Sequence, residues 1–157
     1  WGAARVVMRR HMLMEWMMFK TLPWSKLHAE AHQLEHAISA TTETALMEQL
    51  GRPQTCPHGN PLPGCEQAVE AWLPLTQISS GERFTVRRIH ELAEENEQLL
   101  AFLETRKVVP GAQATALEIL PFNQTISLDL AGQTVVLGYA AARYIYGEIS
   151  GRANTPA

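Results

Sequence analysis

Apolar residues recur every three or four positions over the first fifty residues of the chain, which predicts amphipathic helices. Pro23 stops the first helical stretch, and Ser25 is a candidate N-cap for the second. Thr41 or Thr42 is a candidate cap for a third stretch, which ends at a glycine. The predicted helices cover residues 3–22, 25–39 and 43–50. Short breaks between them predict an antiparallel helical unit, assigned to residues 1–64.

A loop rich in proline and glycine at 51–64 and an aperiodic linker at 65–81 separate this unit from a different pattern. Apolar and polar residues then alternate in short runs, which predicts half-buried strands. Ala131 and Gly132 suit a tight hairpin between two of them. The predicted strands cover 83–89, 113–120, 125–130, 134–137 and 144–149, with one helix at 92–105. Five strands and a helix predict a small β-barrel over 82–150, followed by a tail at 151–157, so the fold class is α+β.

Composition narrows the possible classes of protein. The 157 residues are 46% hydrophobic and 18% charged, which is typical of a globular chain and excludes disorder. A net charge of −3 without a basic stripe gives little reason to expect nucleic-acid binding by this chain alone. Two cysteines cannot form a disulfide scaffold, which favours the cytoplasm. No apolar run is long enough to span a membrane.

Histidines and carboxylates share one face of the second predicted helix. His28, His32, Glu35 and His36 have the spacing i, i+4, i+7 and i+8, and the first helix places His11 and Glu15 one turn apart. Imidazole and carboxylate together suit first-row transition metals. Burying so many such groups without an ion or partners would be costly, although a solvated polar face remains the plain alternative.

Residues 32–36 also spell H-x-x-E-H, the motif of inverted zinc peptidases. In that reading His32 and His36 would hold Zn²⁺ and Glu35 would activate water. A small zinc-dependent hydrolase is therefore an alternative function. A peptidase also needs a third ligand and a substrate cleft, for which a chain of this length with a separate barrel leaves little room.

Three segments carry a resemblance to a known family: residues 7–15, residues 26–39, and the Cys-Pro-His-Gly-Asn-Pro loop that begins at Cys56. In order and spacing they resemble the metal-binding and dimerisation domain of the diphtheria-toxin-repressor family. These are bacterial transcriptional regulators that respond to iron or manganese. Residues 108–112 are similar to the family's SH3-like, FeoA-type domain, though less distinctively.

The resemblance implies two metal sites for Fe²⁺ or Mn²⁺, with Zn²⁺ possible in vitro. One would use His11, Glu15 and His28. The other would use His32, Glu35 and His36, completed in relatives by a residue of the DNA-binding domain. Iron-type relatives often have a cysteine at the position of His32, so the loss of a soft thiolate leaves the choice of metal open.

Some relatives add a glutamate and a glutamine from the SH3-like domain, spaced i and i+3. Glu95 and Gln98 have that spacing and are the tentative ligands here, although counting back from Gly111 puts Asn96 and Leu99 in register. The acidic run that contains Glu94 and Glu95 is otherwise interpreted as a solvated helix face.

The resemblance also implies a homodimer and control of operator DNA through an upstream winged-helix domain. We expect that domain to be missing here, because the chain begins at Trp1 and its first helix has no cap. Operator DNA would then be bound only through the missing domain. Candidate dimer contacts are Leu34, Ile38, Leu46 and Leu50.

Two interpretations without a sensing metal centre also remain open. The helices could merely dimerise while the barrel binds a peptide, as in an adaptor protein. Cys56, His58 and Cys65 could belong to a zinc knuckle, but no second ligand pair follows them, and His58 is interpreted as a structural residue of its loop.

Overall fold

Three α-helices and several 3₁₀ turns form the N-terminal part of the structure, a computed structural model that describes residues 2–152. Helix α1 spans Gly2–Met18, α2 spans Leu27–Leu34 and α3 spans Ala40–Gln49. Single 3₁₀ turns at Trp24–Lys26 and Glu35–Ala37 extend α2 at both ends. The prediction of three helices is confirmed. Trp1 and most of the predicted tail, residues 153–157, lie outside the described residues.

Six strands form one antiparallel sheet in the C-terminal part. In chain order they are β1 (Leu73–Pro74), β2 (Glu82–Ile89), β3 (Gln113–Leu120), β4 (Thr125–Leu130), β5 (Gln133–Gly138) and β6 (Ile145–Arg152). The order across the sheet is β1-β6-β2-β3-β4-β5. Helix α4 (Glu97–Thr105) follows β2, and the short helix α5 (Tyr139–Ala142) precedes β6. The helical unit followed by this sheet confirms the α+β class.

Local signals place most elements close to their predicted positions. β3 and β4 have the predicted bounds, and Ala131 and Gly132 have φ of 51° and 86°, as a type I′ hairpin turn requires. The predicted cap of α3 is corrected, because Ser39 accepts a hydrogen bond from the Thr42 amide at 3.2 Å. The structure also adds β1, which lies within the predicted linker and pairs with β6.

The helix predicted at 92–105 is interrupted, which matters for the site described below. A 3₁₀ turn covers Glu91–Ala93, and α4 begins only at Glu97 because Asn96 caps it, accepting from the Leu99 amide at 3.1 Å. The second predicted helix is also shorter than expected, since α2 tightens into its 3₁₀ turn at Glu35 and Ile38 is extended.

The beginning of α2 is embedded in the core of the sheet. Trp24 and Leu27 are buried in the same cluster as Phe84 and Ile145. Ser25 donates a hydrogen bond to Glu104 of α4 at 3.1 Å. Because α2 is held against the second part of the chain, His28 one residue after Leu27 lies at the junction between the two parts.

Several large apolar side chains on the helical unit are exposed, namely Met8, Met17, Phe19 and Leu34. Of the candidate dimer contacts, Ile38 and Leu46 are buried within the chain, Leu50 is half-buried and Leu34 is exposed. Within residues 2–152, no helix combines the length and the apolar character needed to cross a membrane.

Candidate metal centre

Helix α1 presents His11 and Glu15 on its inner face, one turn apart. His11 is buried and Glu15 is completely inaccessible to solvent. The His11 Nε2 and Glu15 Oε1 atoms are 3.4 Å apart. Burying a charged carboxylate costs free energy unless cations or hydrogen-bond donors surround it. The neighbours of Glu15 therefore determine whether this face can bind a cation.

His28 of α2 completes a group of three potential ligands with His11 and Glu15. One potential ligand atom from each lies within 4.8 Å of the others. The His11 and His28 rings meet edge to face, with centroids 4.8 Å apart. None of the buried atoms His11 Nε2, Glu15 Oε1 and Glu15 Oε2 has a hydrogen bond of good geometry among the described residues. Such a set of unsatisfied buried atoms is what a bound cation would satisfy.

Glu94 reaches this group from the second part of the chain. Its carboxylate is buried, and its Oε2 lies 3.0 Å from His28 Nδ1. The hydrogen bond with Glu94 raises the pKa of His28 against the opposing effect of burial. Burial alone would raise the pKa of Glu94, but the His28 hydrogen bond and the nearby His58 outweigh it and lower that pKa. The centre therefore joins α1, α2 and the turn after β2.

The second predicted set gathers around Glu35, at the end of α2. Glu35 Oε1 lies 3.2 Å from His32 Nδ1 and 3.5 Å from His36 Nε2. Both of these histidines are exposed, whereas Glu35 is buried. Atoms of His11, His32 and Glu35 also lie within 4.8 Å of one another. All six predicted ligands thus form one continuous cluster, with His11 between the two sets.

His11 links the two sets through its two ring nitrogens. Its Nδ1 lies 2.7 Å from Glu35 Oε2, within hydrogen-bonding distance. A proton on Nδ1 would be donated to this carboxylate and would leave Nε2 free to bind an ion beside Glu15. Carboxylates commonly orient metal-binding histidines in this way.

The tentative ligands from the second domain lie at the edge of the cluster. Glu95 is exposed and lines the cleft that also contains His28 and His32, and Gln98 is exposed on α4. The neighbouring Glu94 is the residue in contact with His28. Sequence reasoning missed Glu94 because its inward orientation depends on the break between the 3₁₀ turn and α4.

His58 lies directly behind Glu15 and has no solvent exposure. Its Nε2 lies 3.1 Å from the Trp24 carbonyl oxygen, and its Nδ1 lies 2.9 Å from Glu15 Oε2 and 3.4 Å from Glu94 Oε1. Burial opposes a charge on this ring, but Glu15 and Glu94 outweigh it and raise the pKa of His58. The loop histidine therefore contacts carboxylates of both parts of the chain.

The H-x-x-E-H segment does not lie on one continuous α-helix. Helix α2 ends at Leu34, and Glu35 and His36 belong to the following 3₁₀ turn. Both His32 and His36 lie near the same oxygen of Glu35. In the peptidase reading Glu35 would instead have to activate water beside an ion held by the two histidines.

Two family models match the chain. Residues 2–64 match the model described as "Iron dependent repressor, metal binding and dimerisation domain". Residues 73–149 match the FeoA domain. The first match contains all six predicted ligands, and the second contains Glu94.

Relatives of known identity match over most of the chain. It is 32% identical over 155 residues to the iron-dependent repressor IdeR of Mycobacterium leprae (strain TN), an alignment that covers 90% of this chain and 67% of that protein. The chain covers 54% of the length of the iron-dependent repressor IdeR of Mycobacterium bovis and 49% of the length of the diphtheria toxin repressor of Corynebacterium jeikeium.

Solved structures with the same arrangement include two manganese-dependent transcriptional repressors. One is 30% identical with a TM-score of 0.84, covering 94% of this chain and 80% of that chain. The other, a complex with manganese, is 31% identical with a TM-score of 0.82, covering 94% of this chain and 71% of that chain.

Proposed function

Because the chain belongs to the diphtheria-toxin-repressor family of iron- and manganese-dependent regulators, we propose that it senses a divalent metal ion and forms a dimer, and that metal binding controls operator binding. In this proposal an upstream winged-helix domain contacts the DNA, and this chain supplies the metal sites and the dimer contacts. We place the protein in the cytoplasm, where such a regulator would meet both its metal and its operator.

The observation that carries this proposal is the buried, unsatisfied set of potential ligands at the junction of the two parts of the chain. His11, Glu15 and His28 would hold one ion, and Glu94 is within reach as a fourth ligand. Nitrogen and carboxylate oxygen donors without a thiolate suit Fe²⁺ and Mn²⁺, and they also accept Zn²⁺ in vitro. A second ion would be held by His32, Glu35 and His36.

An ion in the first site would join α1 and α2 to the sheet. The ion would bind more tightly to the arrangement in which all four ligands converge than to other arrangements. This difference in affinity would raise the population of the converged arrangement. If DNA binding needs the same arrangement, the ion raises operator affinity by the same coupling free energy, typically about 1–3 kcal/mol. His32 and His36 are exposed, which suits an ion that exchanges with the cell.

We assign the contribution of the second domain to Glu94 and treat Glu95 and Gln98 as the competing assignment. Glu94 is buried and already paired with His28, whereas the other two side chains are exposed. Ligation by Glu94 would require no rearrangement of α4. Ligation by Gln98 would require its exposed side chain to turn toward the cleft.

A titration of the metal-stripped chain tests the function. Calorimetry with Mn²⁺, with Fe²⁺ under anaerobic conditions and with Zn²⁺ would measure stoichiometry and affinity together. We expect one or two exchangeable sites per chain with dissociation constants on the order of micromolar. A single, far tighter zinc site together with peptide or ester hydrolysis that EDTA abolishes would support the hydrolase. If the chain binds none of these ions, the remaining function is an adaptor protein whose helices dimerise and whose barrel binds a peptide.

A further inference from the structure

A cleft separate from the metal centre lies where α1, the loop after α3 and the second part of the chain meet. We call it the tryptophan cleft, because three of the four tryptophans of the chain, Trp16, Trp24 and Trp72, line it. Its volume is about 620 Å³, and none of the six predicted metal ligands is among the residues that line it. Ligand pockets commonly have volumes of roughly 300–1,000 Å³ and lie between domains. The size and the position of this cleft are therefore those of a small-molecule site.

The aromatic walls of the tryptophan cleft are held in place by the protein itself. The Trp16 indole donates a hydrogen bond to the Thr55 carbonyl oxygen at 2.7 Å, and the Trp24 indole donates to the Pro57 carbonyl oxygen at 3.0 Å. Phe19 meets Trp16 edge to face, with ring centroids 5.3 Å apart, and is 42% exposed. Because these walls are fixed before binding, a planar apolar ligand would stack on them at little entropic cost.

Two hydrogen-bond donors of the lining have no partner among the described residues. The Trp72 side chain is half-buried, and its indole N–H donates no hydrogen bond within this part of the chain. The Lys107 side chain is exposed, and its ammonium group has no ion pair there. Both groups can only donate, so the ligand atoms that face them must accept hydrogen bonds.

The charges of the lining favour an anion. Its charged residues are Arg87, Lys107 and Glu104. The Glu104 carboxylate accepts hydrogen bonds from the Ser25 amide at 3.3 Å and the Ser25 hydroxyl at 3.1 Å. Arg87 forms an ion pair with Glu148 at 2.9 Å. Within residues 2–152, Lys107 is therefore the charge of the lining that no neighbour compensates.

We propose that the tryptophan cleft binds a small aromatic carboxylate. The ring would lie against the aromatic walls, and the carboxylate would pair with Lys107, with the Trp72 indole as a second donor. Such a ligand would join α1 to the segment between α4 and β3, because Trp16 belongs to the first and Lys107 to the second. This inference goes beyond metal sensing and needs no metal ion.

The compound 2-naphthoate is a suitable probe, because it combines two fused aromatic rings with one carboxylate. The compound 2-naphthamide has nearly the same shape without the charge. In calorimetric titrations with EDTA present, we expect one 2-naphthoate per chain, with a dissociation constant on the order of tens of micromolar. Binding of 2-naphthamide should be about five- to tenfold weaker, because the charged pair with Lys107 is missing.

Variants of the lining test the two parts of this proposal. Lys107→Gln should weaken 2-naphthoate about five- to tenfold and leave 2-naphthamide unchanged. Lys20→Gln is the matched control and should bind both compounds like the unmodified chain, since Lys20 is exposed and does not line the cleft. Trp72→Leu should weaken both compounds roughly tenfold. Phe19→Ala, at an exposed side chain, tests the same walls if Trp72→Leu does not fold, and circular dichroism of each variant verifies folding.

Several outcomes would overturn the proposal without affecting the metal-sensing function, because EDTA is present throughout. Equal affinity for the two compounds, or equal losses in Lys107→Gln and Lys20→Gln, would refute a site for an anion. No binding by the unmodified chain would refute the site altogether. Binding that weakens as the protein concentration rises would assign the cleft to a second copy. Binding of a proline-rich peptide but not of 2-naphthoate would assign it to a peptide.

Discussion

At the scale of single residues, the centre depends on which carboxylates are buried and what faces them. Glu15 and Glu94 come from distant parts of the chain, and His58 lies within 3.4 Å of both. Glu35 contacts two histidines, His11 inside the cluster and His32 at its exposed edge. Removing one of these carboxylates should therefore lower the affinity for metal.

The assignment of Glu94 leads to the first prediction. Glu94→Gln keeps the shape of the side chain but removes its charge, so we expect affinity for Mn²⁺ at the first site to fall by at least about tenfold. The adjacent Glu95→Gln is the matched control and should leave affinity nearly unchanged. The measurement is calorimetric titration of both variants. A larger loss in Glu95→Gln would support the competing assignment instead.

His32 provides a prediction at the exposed edge of the cluster. Its side chain is 69% exposed, so His32→Ala should leave the fold intact. In a protein that includes the DNA-binding domain, we expect operator binding to require roughly tenfold more metal. A gel-shift titration measures this, with Gln33→Ala as the control on the same turn. An unchanged metal response would count against His32 as a ligand.

At the scale of elements, an ion-pair cluster fixes α1 against α3. Arg9 and Arg10 both bond the carboxylate of Glu43, which is buried, and Arg10 also donates to the Ile38 carbonyl at 2.7 Å. Burial alone would raise the pKa of Glu43, but the bonds from Arg10 and Arg9 outweigh it and hold the pKa below its ordinary value of 4.5. The charged form is thus favoured by folding.

A pH prediction follows, because a group whose pKa is depressed by folding stabilises the protein above its unfolded pKa. The contribution of Glu43 should be complete at neutral pH and disappear as the pH falls below 4.5 toward the folded value. Glu43→Gln should lower the free energy of unfolding at pH 7 by about 1–2 kcal/mol. This value is kept low because Arg9 is partly exposed, so solvent screens its ion pair with Glu43. Urea unfolding at several pH values measures this, and the exposed Glu48→Gln should behave like the unmodified chain.

The loop that contains His58 depends on Gly59. This residue has φ of 86°, and a Cβ there would lie 1.8 Å from the Arg87 carbonyl oxygen of β2. We therefore expect Gly59→Ala to cost more than about 3 kcal/mol of unfolding free energy. Gly51→Ala, at φ of 74° with open space around it, should cost only about 1–2 kcal/mol for its backbone conformation. Equal losses in the two variants would contradict the close approach to β2.

At the scale of the whole molecule, the six candidate ligands and the candidate dimer contacts belong to the same helical unit. Leu34 is exposed immediately before Glu35, so the end of α2 belongs to both. An ion that fixes the turn at Glu35 would therefore also fix this part of the proposed interface. Dimerisation and metal binding should accordingly influence each other.

The dimer itself is the last prediction. We expect the mass of a dimer in light scattering at micromolar concentration, because apolar side chains exposed on the helical unit would be buried between copies. Leu34→Glu should shift the equilibrium toward monomers. Phe122→Glu, at a residue 87% exposed in the turn between β3 and β4, is the control and should remain dimeric. A monomeric mass for the unmodified chain would refute the interface.

Structural features that depend on residues close together in the sequence could be predicted from the sequence alone. The i, i+4 spacing of His11 and Glu15 places them on one helix face by geometry, and Gly132 suits the turn between β4 and β5 because glycine adopts its positive φ without strain. The six candidate ligands, the three helices and the hairpin between β4 and β5 follow from such local rules. The domain division at 64 and 82 and the ligand roles remain predictions.

Tertiary structure decided what depends on contacts between distant residues. Glu94 meets His28 across 66 positions of sequence only because α2 is anchored in the sheet core and the helix predicted at 92–105 is broken before Glu97. His58 reaches Glu15 only because its loop is clamped between α1 and β2. No periodic pattern in the sequence predicts either contact. Burial and ion pairing between separate segments depend on how the segments pack, not on the order of residues within them.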